Sequence, residues 1–259
     1  MAAEPVFALR QVSHYFGRLQ AISDISLEIY PGERVALVGS SGAGKSTLIR
    51  LLNGTLFPTE GEVWALGRNL SQLNANRLRQ VQRQIGTVYQ QFHLVDTLRV
   101  IHNVNAGHLG RWPLWKAMLS LVFPQEVETA VRALTQVGIP DKLFERTDRL
   151  SGGQQQRVAI ARVLVQDPVA ILADEPIASL DPELSREVMD LLRNLCQQSG
   201  RTLVVSLHDV EIACSHCDRM IGLCQGQVVF DRPTTQVTPT MLQALYQIEP
   251  PMPLFSMEQ

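Results

Sequence analysis

The chain has 259 residues, of which 45% are hydrophobic and 19% charged, enough apolar material for a sizeable core and too much for wholesale disorder. Its 23 basic and 25 acidic residues leave a formal charge of -2, so no globally basic character argues for a nucleic-acid partner. No window reaches the roughly 20 apolar residues needed to span a bilayer; the nearest, Trp112 to Phe123, is too short and carries Lys116. Met1 to Arg10 lacks the basic-then-apolar order of a secretory signal, so Cys196, Cys214, Cys217 and Cys224 are expected as reduced thiols. Cys214-Ser-His-Cys217 has no second pair to complete a zinc site, and helix packing is the expectation for it.

Strand-like alternation comes first, in Val6 to Leu9 and Ile25 to Ile29, and Pro31-Gly32 makes a turn. Arg34 to Val38 reads as a buried strand running straight into a glycine-rich loop. Leu48, Ile49, Leu51 and Leu52 then fall at helical spacing over Ser46 to Leu52, and Asn53-Gly54 stops that helix. Gly61 to Leu66 and Ile85 to Tyr89 are short strands, and Arg77, Arg79 and Arg83 read as a solvated helix face. From Thr97 to Val165 the pattern is helical almost throughout. A buried strand at Ala170 to Ala173, a helix from Glu183 to Ser199 and a strand at Thr202 to Leu207 follow. A late strand pair (Ile221 to Leu223, Val228 to Phe230), a short helix from Met241 to Ile248 and a proline-rich tail from Pro250 complete the chain. Strands with intervening helices predict an α/β fold, a mostly parallel sheet covered on both faces.

Gly39-Ser40-Ser41-Gly42-Ala43-Gly44-Lys45-Ser46, followed by Thr47, fits the phosphate-loop pattern of four free positions between glycines and then Gly-Lys-Ser/Thr. Glycines let backbone N–H groups turn toward phosphate oxygens, and the following helix points its positive end at them. Lys45 is expected to neutralise the β- and γ-phosphates and Ser46 Oγ to ligate Mg²⁺. The strand Ala170 to Ala173 ends in two carboxylates. Asp174 is expected to hold the metal shell, and Glu175, one residue further, to polarise an attacking water.

Leu150-Ser151-Gly152-Gly153-Gln154-Gln-Gln-Arg157 is the signature sequence of the ABC-transporter ATPases, and nearly the whole chain resembles that family. The resemblance assigns Phe16 as the adenine-stacking aromatic, Gln90 as the Q-loop glutamine reaching Mg²⁺, Ser179-Leu-Asp181 as the D-loop and His208 as the switch histidine. It implies a P-loop NTPase (RecA-like) core with an antiparallel β subdomain and an inserted helical subdomain over about 92–165, the whole of 1–259 being one ATPase domain. It also implies two copies closing head to tail over two ATPs, so that Ser151, Gly152, Gly153 and Gln154 of one face the γ-phosphate bound by the other.

One nucleotide unit, no coiled-coil insertion and no membrane span resemble an importer subunit that pairs with separate permease chains. No room is expected after Ile248 for the regulatory domain of sugar-importer ATPases. The stretch from Gln90 to Val104, the Gly107-His-Leu-Gly-Arg segment with the Trp112/Trp115 insert, and Ile171 to Pro182 resemble the phosphonate-import ATPases; Ala173 and Ile177-Ala178 depart from commoner importers. Phosphite and phosphate-ester importers share much of this, and polar-amino-acid importers less. The implied partners are a second copy, integral-membrane permease subunits and, indirectly, a periplasmic or surface binding protein, at the cytoplasmic face of the inner membrane. A soluble nucleotide switch acting on a non-transport partner is the other class, and the Q-loop and helical insert favour the transport motor. Trp115, Met118, Leu119 and Val122 share one helical face, expected to pack within the helical subdomain rather than to face the permease or membrane.

Overall fold

The computed structural model describes residues 3–178 and 180–247. In chain order it runs β1 (Phe7–Phe16), β2 (Leu19–Ile29), β3 (Arg34–Val38), α1 (Lys45–Leu52), β4 (Glu60–Ala65), β5 (Arg68–Asn69), α2 (Ala75–Gln82) and β6 (Ile85–Val88). Four helices follow: α3 (Val100–Asn105), α4 (Leu114–Ser120), α5 (Val127–Gln136) and α6 (Gly152–Gln166). Then come β7 (Ala170–Asp174), α7 (Pro182–Ser199), β8 (Thr202–Leu207), α8 (Val210–His216), β9 (Arg219–Cys224), β10 (Gln227–Pro233) and α9 (Pro239–Gln247).

The central sheet has the order β10-β9-β3-β8-β7-β6, with only the edge pair β10–β9 antiparallel. Its inner strands are apolar on both faces because both faces are covered. Strand β3 sends Val35 and Leu37 into one hydrophobic cluster and Ala36 and Val38 into the other. Strand β7 divides in the same way, Ala170 and Leu172 against Ile171 and Ala173. The first cluster is closed by α1 and by an antiparallel sheet of order β2-β1-β4-β5. The second takes in α3, α5, α6 and α7. The expected α/β class with an antiparallel β layer is therefore present, and the folded layers place every parallel strand end on one rim.

Several elements run beyond their sequence signals. Strands β1 and β2 form a long ribbon with register shifts at Leu9/Val12, Val12/His14 and His14/Tyr15, so the alternation breaks where the pairing continues. Helix α8 supplies the helix expected at Cys214 and begins earlier, at Val210; Asp209 caps it, its carboxylate accepting the Ile212 N–H at 3.0 Å. Ser179, the Ile248 end of the last helix and the tail from Pro250 lie outside the described residues.

The Trp112–Phe123 segment corrects an expectation. Its shared face does not pack inward: Trp115 is 68% exposed, Met118 64% and Val122 71%. Helix α4 has seven residues, of which only Ser120 is buried. The segment is tethered instead by polar links, Ser120 O to His102 Nδ1 (3.0 Å) and Asn105 Nδ2 to Gln125 O. A helix this short, started by Pro113 and held by its far end, cannot bring its apolar face down onto the core.

The cysteines make no disulfide. Cys196 and Cys217 are buried, and burial pushes their thiols up to about 11 and about 12, while Cys214 is exposed rather than packed.

Candidate functional site

Four parallel strands, β3, β8, β7 and β6 in sheet order, bring the chemistry-bearing residues to one rim. Strand β3 ends in the Gly39–Ser46 loop, β8 in Ser206 and His208, β7 in Asp174 and Glu175, and β6 in Tyr89 and Gln90. Ligands of open α/β sheets bind outside the carboxyl ends of the strands.

The loop's glycines are required by its path. Gly39 has φ +151°, and a Cβ there would collide with the Leu223 carbonyl oxygen; Gly44 has φ +105°, and a Cβ would lie 2.7 Å from Ala21 O. Gly44 is also the N-cap of α1, and no side chain caps that helix. By contrast Ser151, Asp181 and Asp209 cap α6, α7 and α8. The first-turn N–H groups of α1 are left for an anion. Ser40, Ser41 and Gly42 are exposed, Ala43 is buried against the core and Thr47 is half-buried. Lys45 is 3% exposed; its ammonium donates to Gly39 O (2.9 Å) and Ser40 O (3.1 Å) and stands 3.9 Å from Glu175. Burial lowers its pKa against the opposing pull of Glu175 and Asp174.

Ser46 Oγ donates to Asp174 Oδ1 at 2.9 Å, joining the loop to β7. Glu175 sits at φ +46°, a strained conformation for a non-glycine residue, and its Oε1 lies 2.7 Å from His208 Nε2. Ser206, fully buried on β8, was not among the expected residues. Its hydroxyl donates to Asp174 Oδ1 (2.8 Å) and accepts the Glu175 N–H (2.8 Å), locking both acids in place. A lone serine inside the apolar run Thr202–Leu207 is the only sequence signal for it. Ser206→Ala leaves a buried N–H without its acceptor, worth about 1–3 kcal/mol. We expect a lowered melting temperature and slower ATP turnover with nucleotide affinity retained; unchanged turnover would remove Ser206 from the positioning of the two acids.

A cavity of about 250 Å³ at the loop is lined by Phe16, Gln20, Gly44, Lys45, Thr47 and Glu175, among others. Phe16 is 43% exposed there, and His14 meets it edge-on at 4.6 Å. An aromatic wall, free helical N–H groups and a buried ammonium fit a nucleotide triphosphate. The Ser46 hydroxyl paired with the Asp174 carboxylate fits a hard divalent cation such as Mg²⁺.

Among the described residues, no hydrogen bond brings Gln90 into this cluster. It is exposed in the turn after β6, level with Glu175 by the β6–β7 register, in which Val88 pairs with Ala173. The following residues Phe92 and His93 both have positive φ, and Arg162 on α6 donates to their carbonyls at 2.8 and 2.6 Å. Arg162, lowered in pKa by burial, was also missed; a single cation in the apolar run Val158–Val165 marks it. Beside it lies a groove of about 420 Å³ lined by Thr87, Tyr89, His93, Gly107 and Arg162.

The signature residues are separate from the cavity. Ser151 caps α6 in a reciprocal box with Gln154, Ser151 Oγ accepting the Gln154 N–H at 3.3 Å and Gln154 Oε1 accepting the Ser151 N–H at 3.1 Å. Ser151 and Gly152 are exposed, and Gly153 is packed against Leu184. Asp181 accepts the Leu184 N–H at 2.9 Å as the N-cap of α7.

Comparison with known proteins agrees with this arrangement. The family described as ABC transporter matches residues 22–178. The chain is 48% identical to the phosphonates import ATP-binding protein PhnC 2 of Cupriavidus necator, over 89% of this chain and 82% of that one. It is also 48% identical to the phosphonates import ATP-binding protein PhnC of Anaeromyxobacter dehalogenans, covering 95% of this chain but spanning only 49% of that protein. Among solved structures, a dimeric ATP-binding cassette in a post-hydrolysis state with ADP and phosphate superposes with a TM-score of 0.75, at 32% identity, covering 88% of this chain and 98% of that one. Phosphate loop, acid-tipped second strand, capped signature helix and these likenesses agree: the chain belongs to the ABC transporter family of ATP-binding subunits and, within it, to the phosphonates import ATP-binding proteins.

Proposed function

We propose that this chain hydrolyses ATP to drive phosphonate uptake through a separate permease, with residues 1–259 as one ATPase domain and about 92–165 as its helical subdomain. The observation that carries the reading is the convergence of Lys45, Ser46, Asp174, Glu175, Ser206 and His208 on one rim, in a chain 48% identical to named phosphonates import subunits.

In this reading Phe16 stacks on adenine, and the N–H groups from Gly42 to Thr47 hold the phosphates. Lys45 turns from its own loop carbonyls to the β- and γ-phosphates. Ser46, Asp174 and Gln90 hold Mg²⁺, which when bound neutralises charge on the phosphates. Glu175 takes a proton from the water that attacks the γ-phosphorus, and the bond to the ADP oxygen breaks. His208, already in hydrogen-bond contact with Glu175, orients that carboxylate and the γ-phosphate.

Ser151, Gly152, Gly153 and Gln154 lie outside this chain's own cavity, which supports their use by a second copy across a head-to-tail dimer with Asp181 at the seam. The groove beside Tyr89, His93 and Arg162 supports a permease contact, because Arg162 ties the segment after Gln90 to the signature helix. A cytoplasmic, peripheral position on the inner membrane and indirect dependence on an external binding protein belong to the same reading.

The test is ATPase activity of the chain reconstituted with its permease and binding protein, challenged in turn with an alkylphosphonate, phosphite, phosphate and a polar amino acid. Stimulation by the alkylphosphonate alone is expected. Stimulation by phosphite or the amino acid instead overturns the substrate; no stimulation by any overturns the transport motor.

A further inference from the structure

The exposed finger of α4 and its flanks carries apolar surface that the ATP site and the groove beside Gln90 do not use. Leu114 is 77% exposed, Trp115 68%, Met118 64%, Val122 71% and Phe123 62%. Isolated exposed apolar residues are ordinary, but a contiguous run of them marks a contact surface. Apolar side chains are exposed around α4 and on through the turn after it. A bilayer interface accepts an exposed apolar helix carrying tryptophan and phenylalanine with basic side chains beside it.

The charge around the finger identifies the surface it fits. Between Glu62 and Glu126 the sequence holds one carboxylate, Asp96, against six arginines and Lys116, although the whole chain is net negative. Lys116 is neutralised by Glu126 at 2.7 Å. Arg79, Arg83 and Arg111 are not neutralised: among the described residues, none of the salt bridges involves them. Together these three line a cleft of about 380 Å³ with Gly107 and Gly110. The stem of Arg83 passes against Gly110, and Arg111 donates to Gln166 O, so these two arginines are held at the base of the finger. Trp112, stacked on His108 at 4.9 Å, joins that base to α4.

We propose that the finger and the arginine cleft form a membrane-contact surface, its apolar side chains entering the headgroup–acyl boundary of an anionic bilayer while Arg79, Arg83 and Arg111 face lipid phosphates. Amphipathic elements of this kind bind through buried apolar area plus attraction to anionic lipid. The surface holds the subunit at the bilayer independently of the permease, in a chain whose described residues contain no helix long and apolar enough to cross it.

The test is co-sedimentation of the purified full chain with vesicles of phosphatidylcholine alone or mixed with phosphatidylglycerol, with no permease present. Binding to the mixed vesicles, weakened by salt, is expected, with tryptophan emission shifted to the blue and quenched by brominated acyl chains. Trp115→Glu with Val122→Glu, both exposed positions, should abolish it while ATP binding remains. Arg79→Glu and Arg83→Glu should each weaken it by about fivefold or more, since one cation near an anionic surface is worth about 1 kcal/mol. No binding to either vesicle, or binding that these variants leave untouched, overturns the proposal. Burial of the finger only when permease is present assigns the surface to a protein partner and overturns it equally.

Discussion

Glu175→Gln should bind ATP with near wild-type affinity, accumulate as a nucleotide-bound dimer and hydrolyse at least about 100-fold more slowly, the usual contribution of a positioned general base. The geometry isolates the carboxylate's proton-accepting role from its structural one. The strained backbone at φ +46° is held by Ser206 through the Glu175 N–H, which glutamine retains. His208 Nε2 at 2.7 Å can still meet an amide oxygen, so the side-chain position should survive. What disappears is the acceptor for the water proton, together with the negative charge 3.9 Å from Lys45. The measurement is steady-state phosphate release beside nucleotide affinity and size-exclusion chromatography with ATP. Near-normal release would remove Glu175 from the base role and direct attention to His208.

The sequence made the phosphate loop, the acid-tipped strand and the signature helix legible because each is local. Eight consecutive residues dictate the path of the loop, and Ser151 with Gln154 are spaced for a capping box. Ser206 was not legible because its partners, Asp174 and the Glu175 N–H, lie 32 and 31 positions away, and only the β7–β8 pairing brings them together. Arg162 is the same case: its acceptors His93 O and Phe92 O come from a loop 69 and 70 positions earlier. The finger failed for a different reason. Helical periodicity of Trp115, Met118, Leu119 and Val122 specifies a shared face but not what covers it, and α4 is too short and too remotely tethered for the core to do so. The strand leading to Gln90 was legible, yet an exposed turn residue shows its partner only when that partner is bound.

Lys45→Ala is expected to weaken ATP binding by roughly 10- to 150-fold, the range of about 1.5–3 kcal/mol for hydrogen bonds from a charged donor. The ammonium has two employments that the substitution removes together. Facing phosphate it supplies the loop's one full positive charge, set among backbone N–H groups that carry only partial charge. Facing its own loop it bonds the Gly39 and Ser40 carbonyls, so it also ties the loop to itself. The two effects separate by measurement. Loss of the internal bonds should lower the melting temperature without nucleotide, and loss of the phosphate contact should remove most of the additional stabilisation that saturating ATP gives. Burial lowers the pKa of Lys45, and the carboxylates of Glu175 and Asp174 oppose that shift. Glu175→Gln with Asp174→Asn should therefore make ATP affinity fall at a lower pH than in the wild type, as the ammonium loses its proton. An affinity in Lys45→Ala equal to wild type would show that the backbone N–H groups alone hold the phosphates.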